Sequence, residues 1–247
     1  MGGFGTLDTM NTLIADNIAR VRAQMAAACQ SAGRAPGSVQ LLAVSKTWSA
    51  DAVRTAHAAG QTDFGENYIQ EAVDKIANLR DLPLQWHCIG PIQSNKTRLV
   101  AEHFDWVHSI DRLKIAQRLS EQRPEHLPPL QVCIQVNVDG GDTKSGVSPA
   151  DLPDLAQAVA ALPRLQLRGL MTIPEPAETE AQIRAVHRQA KDLFEQLRTL
   201  GLPLDTLSMG MSADMAPAIA EGSTMVRVGT AIFGARPTSP RAGGVCP

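Results

Sequence analysis

The stretch VQLLAVSKTWSADAVRTAHAAGQTDFGEN, residues 39–67, decides the fold. It opens with an apolar run that ends at Lys46, continues with a helix-like segment over 49–60, and closes with a second strand-like run over 62–67. A strand, a helix and a second strand in this order favour a parallel sheet, because parallel neighbours need a long crossover connection. The number of such units along the chain then decides between the α/β architectures.

The same alternation continues through most of the chain. Further strands are predicted over 84–90, 105–110, 130–138, 165–173, 204–209 and 225–229. Further helices are predicted over 68–80, 95–103, 111–122, 149–162, 177–200 and 213–221. Eight strands, each followed by a helix or by the chain end, indicate a single (β/α)8 TIM barrel domain over residues 1–236. An open doubly wound sheet is the alternative, but the sequence lacks the G-x-G-x-x-G that would favour it.

Both ends of the chain lie outside this alternation. Residues at helical spacing predict an extra N-terminal helix with one apolar face, formed by Met10, Ile14, Ile18, Val21 and Met25. Asp8 or Thr9 is expected to cap its start, and Gly33 to follow its end. The Pro/Gly-rich segment over 237–247 predicts a disordered tail. The opening MGGFGT matches a permissive myristoylation pattern, for which a Gly-rich flexible start is the alternative.

The bulk composition excludes several classes of protein. The net charge of -2 and the 4% aromatic content give neither the field nor the stacking rings of a nucleic-acid-binding surface. No apolar run approaches the roughly 18 residues of a membrane span. The four cysteines are dispersed without a C-x-x-C pair, which is typical of a reducing cytosol. We therefore expect a cytoplasmic protein with no nucleic-acid or membrane partner.

Lys46, at the end of the first predicted strand, is the first candidate functional residue. In a (β/α)8 barrel, functional groups lie where the strands end and the following loops begin. By the two-residue period of a strand, Lys46 shares its direction with Leu42 and Val44 and could face the upper rim of the barrel interior. A desolvated amine there has a lowered pKa and can attack an aldehyde. A solvated lysine at a strand end is the alternative.

Two loops have the composition of a phosphate site. GMSADM, residues 210–215, places Ser212 at a helix start, and VGTAIFG, residues 228–234, places Gly229 and Thr230 directly after the last strand. Small residues let backbone N–H groups approach an anion, and these loops follow strands seven and eight, the usual phosphate site of this barrel. A lysine beside a phosphate site predicts a Schiff base with pyridoxal 5′-phosphate (PLP), or with a sugar phosphate in an aldolase.

Arg227 lies inside the last predicted strand, between Val226 and Val228. A buried arginine needs an acceptor, which a carboxylate such as Asp205 or Asp63 could provide. Beside the pyridine nitrogen of PLP it would instead stay protonated and donate, so the ring nitrogen would remain unprotonated. PLP would then be a weaker electron sink.

Six motifs occur in order over about residues 10–236. They are AVSKTWSADAVRTAHAAGQTDFGENYIQEA, WHCIGPIQSNKTR, VHSID, VNVDGGDTKSGV, LRGLMTIP and LSMGMSADMAPAIAEGSTMVRVGTAIFGAR. With these motifs the chain resembles the pyridoxal phosphate homeostasis protein family, whose barrel is similar to the N-terminal domain of alanine racemase. Asp142, in the loop 139–146, is a departure, because many relatives are expected to have a glutamate there.

The resemblance implies a cofactor site for PLP. It implies that Lys46 carries PLP as an internal aldimine and that Asn67 lies near the ring. It further implies that Arg227 lies by the pyridine nitrogen, and that the phosphate is bound by Ser212, Gly229 and Thr230.

A PLP racemase needs an acid/base group on each face of the substrate carbanion. Alanine racemase takes its second base, a tyrosine, from an additional domain of a partner subunit, and this chain ends where that domain would begin. Its one tyrosine is Tyr68, and Glu66 could supply the missing base. We therefore expect a monomeric, non-catalytic PLP carrier that buffers PLP, or delivers it to apo PLP-dependent enzymes, and affects amino-acid balance. An amino-acid racemase or lyase and a Schiff-base phosphosugar aldolase are the alternatives.

Three further features are given a structural interpretation. His87 lies mid-strand, where a core histidine with one hydrogen bond is expected and a cofactor contact is the alternative. His103 and His108 do not have metal-ligand spacing, so no metal site is predicted. The GGDTKSG segment lacks the Gly-Lys-Ser/Thr ending of a P-loop, and Lys144 within it is expected to be a loop charge.

Overall fold

A computed structural model of the chain describes residues 5–140 and 145–235. Within these residues, parallel strands follow one another in chain order and close into a barrel when the last strand pairs with the first. The strands are β1 Gln40–Val44, β2 Asp63–Glu66, β3 Gln85–Cys88, β4 Trp106–Ile110, β5 Leu130–Gln135, β6 Leu165–Met171, β7 Thr206–Ser208 and β8 Met225–Val228. The prediction of a (β/α)8 barrel is therefore confirmed, and the open doubly wound sheet is wrong.

A helix follows each strand, one further helix precedes β1, and together they cover the outside of the barrel. They are α1 Gly5–Ser31, α2 Ala50–Ala58, α3 Ile69–Asn78, α4 Thr97–His103, α5 Leu113–Gln122, α6 Leu152–Ala160, α7 Glu180–Thr199, α8 Met215–Ala220 and α9 Thr230–Phe233. All but α9 agree with predicted helices. The sequence did not indicate α9 because its four residues are too few to show a helical period.

The extra N-terminal helix, α1, begins earlier than predicted. Asp8 and Thr9 lie inside it, so the prediction that either residue caps the helix is wrong. Its predicted apolar face is buried against the barrel-covering helices α2, α8 and α9. Gly33 ends the helix with φ of 69°, a left-handed conformation that glycine adopts without a Cβ clash. The helix end is therefore the boundary that the sequence predicted better.

Alternate residues of each strand face the helices or the barrel interior. The outward-facing residues join one large apolar core with the helices. The interior holds two small apolar clusters, one of Leu42, Ile89 and Met225 and the other of Trp106, Cys133 and Met171. Polar side chains complete the interior, and those near the carboxyl ends of the strands surround the cavity described next.

Several predictions fall on residues that the structure does not describe. These are the myristoylation pattern at the start of the chain, Asp142 and Lys144 in the loop 139–146, and the tail over 237–247. They stay predictions, as does the domain boundary at residue 236. Among the described residues, no helix is both long and apolar enough to cross a membrane.

Candidate ligand-binding site

A cavity of about 570 Å³ opens at the carboxyl end of the barrel. Its lining comes from the loops that follow β1, β2, β3, β6, β7 and β8, and apolar side chains such as Trp48, Ile89, Ile173 and Met211 form much of its wall. The lining includes every residue that the sequence analysis proposed for a cofactor, namely Lys46, Asn67, Ser212, Arg227, Gly229 and Thr230. The fold thus brings these six residues together from opposite ends of the chain.

Lys46 follows β1 in a segment that is anchored on both sides. The backbone N–H of Ser45 donates to Gly65 O at 3.0 Å. The backbone N–H of Thr47 donates to Glu71 Oε1 at 2.6 Å. Thr47 has φ of 67°, in the left-handed region that a β-branched residue rarely adopts. Such strain costs on the order of 1–3 kcal/mol and persists only where the surroundings impose it, so the anchors fix the backbone that carries Lys46.

A buried ion cluster lies behind this segment, between β2 and α3. Lys75 Nζ donates to Glu66 Oε1 at 2.5 Å, to Ser45 O at 2.8 Å and to Glu71 Oε1 at 3.2 Å. Ser45 Oγ donates to the same Glu66 oxygen at 2.8 Å. Burial raises the pKa of the Glu66 carboxyl, and the ammonium of Lys75 opposes part of that rise. Glu66 therefore faces this cluster and is not among the described residues that line the cavity.

Arg227 forms part of the cavity floor and is almost fully buried. Its Nη1 donates to Ser208 Oγ and its Nη2 donates to Thr172 O, both at 2.8 Å. Burial lowers the pKa of Arg227 to about 10, while Asp214 and Cys133 oppose the shift. The guanidinium therefore remains protonated at neutral pH.

The carboxylates that the sequence suggested as partners of Arg227 are bonded elsewhere. Asp205 accepts two hydrogen bonds from Arg168, at 2.8 and 2.9 Å. Asp63 accepts from His87 Nε2 at 2.9 Å. The hypothesis of an ion pair between Arg227 and Asp205 or Asp63 is therefore wrong. His87 also makes a second hydrogen bond inside the barrel, through Nδ1, and it is not among the residues that line the cavity.

The turn that carries Ser212 is held by Asp214. Asp214 Oδ1 accepts from the backbone N–H of Met211 at 2.7 Å, and Oδ2 accepts from His187 Nε2 at 2.9 Å. Burial alone would raise the pKa of Asp214, but these hydrogen bonds outweigh it and lower the pKa below its ordinary value. Gly210 precedes the turn with φ of 97°. The ionised carboxylate thus fixes the loop after β7.

The loop after β8 approaches β1 closely. A Cβ on Gly229 would lie 3.4 Å from the Cβ of Val44, which leaves little room for a side chain. Thr230 then begins the single turn of α9 at the edge of the cavity. Asn17 of α1 donates to Ile232 O at 2.9 Å and so anchors α9 from outside the barrel.

Asn67 supplies a polar atom without a partner. Its Oδ1 is buried and has no hydrogen-bond partner among the described residues. A buried polar atom of this kind is costly unless a ligand or water completes its bonding. The loop that carries Asn67 passes very close to Gly90. A Cβ on Gly90 would lie 2.5 Å from Asn67 O, so only a glycine leaves room for this approach. The site therefore has hydrogen-bonding capacity left for a ligand.

The cavity is suited to an anion with an apolar face, and the amine of Lys46 on its lining is a group that attacks aldehydes. Its walls are apolar, its floor carries a fixed cation, and small residues line the loops after β7 and β8. Among residues 5–140 and 145–235, no group of three or more histidine, cysteine and carboxylate side chains could hold a metal ion.

The sequence did not predict the roles of Ser208, Thr172 or Asp214, because nothing in it indicates which distant strands meet.

Sequence comparisons agree with this arrangement. A sequence model described as the N-terminal domain of alanine racemase matches residues 14–237. The pyridoxal phosphate homeostasis protein of Pseudomonas aeruginosa is 66% identical over 223 residues, which are 90% of this chain and 96% of that protein. The chain belongs to the pyridoxal phosphate homeostasis protein family. A member of this family from Escherichia coli is 57% identical over 226 residues, or 90% of this chain and 97% of that protein.

Solved structures place the family on the same barrel. PipY of Synechococcus elongatus, in a structure described as having PLP bound, is 43% identical with a TM-score of 0.80, covering 90% of this chain and 100% of PipY. Alanine racemase of Corynebacterium glutamicum is 22% identical with a TM-score of 0.68, covering 96% of this chain and 64% of that enzyme. The second likeness shows the fold alone. The resemblance seen in the sequence motifs is thereby confirmed.

Proposed function

We propose that this protein binds PLP in the cavity at the carboxyl end of the barrel and takes part in intracellular PLP, or vitamin B6, homeostasis. The observation that carries the proposal is that Lys46, Arg227 and the two small-residue loops line one cavity. The names of the curated relatives and the PLP described in the PipY structure support it. PLP supplies an aldehyde, an aromatic ring and a phosphate, and each has a counterpart among the residues present.

In this proposal each residue has one task. Lys46 Nζ would condense with the aldehyde carbon of PLP, whose oxygen would leave as water, and so hold the cofactor as a Schiff base. Ser212, Gly229 and Thr230 bind the phosphate through a hydroxyl group and backbone N–H groups. Arg227 donates to the ring nitrogen and, because it remains protonated, keeps that nitrogen from acquiring a proton. The side-chain amide of Asn67 would make its missing hydrogen bond to a polar group of the PLP ring.

The same geometry supports a carrier rather than an enzyme. Lys46 and Arg227 are the only titratable side chains in the described lining of the cavity. Tyr68 is 51% exposed and lies outside that lining, as does Glu66. A racemase needs a second acid/base group at the substrate carbon, and the described lining offers none opposite Lys46. We therefore propose a non-catalytic role, in which the protein buffers PLP or delivers it to apo-enzymes; the monomeric state and the cytoplasmic location stay predictions from the sequence.

Absorbance spectroscopy tests the proposal. Wild type, Lys46→Ala and a control variant of an exposed lysine, Lys114→Ala, are titrated with PLP and scanned for the visible band of a protein-bound Schiff base. Wild type and the control should show the band, and Lys46→Ala should lack it. A wild type that shows no such band after free PLP has been removed would overturn the proposal and return attention to an aldolase, for which borohydride trapping with a sugar phosphate is the direct probe. Turnover of an amino acid at about 1 s⁻¹ or faster, an ordinary enzyme rate, would contradict the carrier assignment.

A further inference from the structure

Five side chains form one hydrogen-bonded chain across the barrel interior. Arg227 Nη1 donates to Ser208 Oγ at 2.8 Å, and Ser208 Oγ lies 2.9 Å from His108 Nδ1. His108 Nε2 lies 2.9 Å from His87 Nδ1, and His87 Nε2 lies 2.9 Å from Asp63 Oδ1. The chain thus leads from the cavity floor to the opposite end of the barrel, since Asp63 lies at the start of β2.

Both ends of this chain carry charge, and its middle is removed from water. Ser208, His87 and His108 are fully buried. Burial is the largest single influence on the pKa of Asp63 and would raise it, but His87 together with the hydrogen bonds from Thr62 and Gln40 lowers the pKa, so the carboxylate is ionised at neutral pH. Burial lowers the pKa of His108 well below its ordinary value, so this imidazole is neutral. Arg227 is the cation at the other end.

These charges determine where the protons lie. A neutral imidazole has one donor and one acceptor nitrogen. Because the Asp63 carboxylate only accepts, His87 donates from Nε2, and its Nδ1 is left to accept from His108 Nε2. His108 Nδ1 must then accept the hydroxyl proton of Ser208, which leaves the lone pairs of Ser208 for Arg227. Every donor in the chain is used in one direction, from the guanidinium to the carboxylate.

The opposite arrangement leaves a proton without an acceptor. If His87 were an imidazolium, its Nδ1 would donate to His108 Nε2, and His108 would have to donate from Nδ1 to Ser208. The Ser208 hydroxyl would then receive two donors, from His108 and Arg227, with no acceptor for its own proton among the hydrogen bonds found in the described residues. A buried donor left in this way is costly.

We propose that His108, His87 and Asp63 are positioning residues for Arg227, acting through Ser208. The directed chain keeps the hydroxyl proton of Ser208 pointing towards His108 Nδ1, so that Arg227 always meets an acceptor on the barrel side. Its remaining N–H groups stay available to a ligand. Trp106 stacks on His87 with ring centroids 5.2 Å apart and holds that imidazole in place. This inference rests on the proposed function only in naming the ligand, whose ring nitrogen Arg227 would meet.

Histidine NMR tests the direction of the chain without any ligand. Long-range ¹H–¹⁵N correlation spectra of the full chain at neutral pH distinguish the two neutral tautomers from the imidazolium, with His87→Gln and His108→Gln used for assignment. We expect both His87 and His108 to be neutral with the proton on Nε2. An Nδ1-protonated tautomer or an imidazolium at either position would overturn the proposed direction, whether or not the protein binds PLP.

PLP titration tests the effect on Arg227. His108→Leu removes both the donor and the acceptor, whereas His108→Gln can keep both through its amide. We expect His108→Leu to weaken PLP binding about tenfold, the order of one hydrogen bond to a charged group, and His108→Gln to restore most of the affinity. In an Arg227→Gln background, His108→Leu should change the affinity for PLP little. The effects of coupled residues are not additive, and His108 is proposed to act only through Arg227.

The outcomes of the two experiments separate the inference from the proposed function. If His108→Leu lowers the affinity for PLP equally with and without Arg227, or does not lower it at all, the positioning role is overturned while PLP binding stands. A wild type that does not bind PLP would overturn the proposed function, and the tautomer spectra would still decide the direction of the chain. If His108→Leu does not fold, the comparison uses His87→Leu and His87→Gln in the same two backgrounds.

Discussion

Lys75 Nζ lies 2.5 Å from Glu66 Oε1, and both side chains are buried, with 5% and 0% of their surfaces exposed. The same ammonium donates to the carbonyl oxygen of Ser45, the residue before Lys46. A buried ion pair therefore supports the backbone at the base of the proposed PLP lysine. Such a pair adds little net stability over an apolar pair of similar volume, but removing one partner leaves an uncompensated charge.

Lys75→Met should be strongly destabilising. The substitution leaves the Glu66 carboxylate buried without its ammonium, which costs about 3–5 kcal/mol in comparable pairs. Urea unfolding followed by circular dichroism measures the change in the free energy of unfolding. Lys191→Met is the matched control, because Lys191 pairs with Glu195 on the surface of α7, where a pair contributes at most about 1 kcal/mol. Similar small changes for both variants would show that the buried cluster is not structural.

Glu71→Ala should weaken PLP binding more than it weakens the fold. Glu71 is 35% exposed, but it accepts the backbone N–H of Thr47 and so helps to hold the left-handed conformation next to Lys46. Without this acceptor the strained backbone can relax and move the lysine. The PLP dissociation constant should rise several-fold, in keeping with about 1 kcal/mol for one hydrogen bond. Asp74→Ala, on the exposed face of the same helix, should leave it unchanged, and equal effects of both variants would count against the anchor.

Gly210→Ala should disrupt the loop after β7. Gly210 has φ of 97°, and a Cβ there would lie 2.6 Å from the Cβ of Ala218. Gly201 has φ of 90° with nothing within 4 Å, so Gly201→Ala isolates the backbone cost. That cost is roughly 1–2 kcal/mol, and overpacking adds about 1–3 kcal/mol. Thermal unfolding of both variants measures how much stability each one loses. Equal losses of stability would mean that the close approach of Gly210 to α8 is unimportant.

Asp214→Asn should remove part of the acid sensitivity of the fold. The folded pKa of Asp214 is below the ordinary value of 3.8 because of the hydrogen bonds from His187 and Met211. The unfolded chain therefore takes up this proton at higher pH than the folded chain. The stabilisation is present above pH 3.8 and is lost as the pH falls through the folded pKa. Unfolding free energies measured across this range should fall less steeply in Asp214→Asn, and an unchanged slope would contradict the assignment.

The barrel could be predicted because its strands are buried on both faces and alternate regularly with amphipathic helices. The residues after those strands could be predicted for the same reason, since the fold places the ends of parallel strands on one face. In this way the sequence predicted that Lys46, Arg227 and Ser212 lie at one site, and all three line the same cavity. The early start of α1 and the single turn of α9 were not found, because neither gives a hydrophobic period.

The partners of the site residues could not be predicted from the sequence. Ser208 meets Arg227 because β7 and β8 are neighbours, yet the carboxylates Asp205 and Asp63 were equally plausible from pattern alone. Glu66 looked like a free base beside the site, but the side-chain alternation of β2 directs it towards α3. Which polar atoms meet depends on register and rotamer, and one sequence contains no direct signal for either.

Peptide mass spectrometry after borohydride reduction shows directly whether Lys46 is the lysine that holds PLP. The full chain is incubated with PLP, reduced to make the Schiff base permanent, and digested. We expect the phosphopyridoxyl group on the peptide containing Lys46, and we expect this label to be lost in Lys46→Ala. A label that persists in Lys46→Ala, or that lies mainly on another lysine of the wild type, would contradict this expectation.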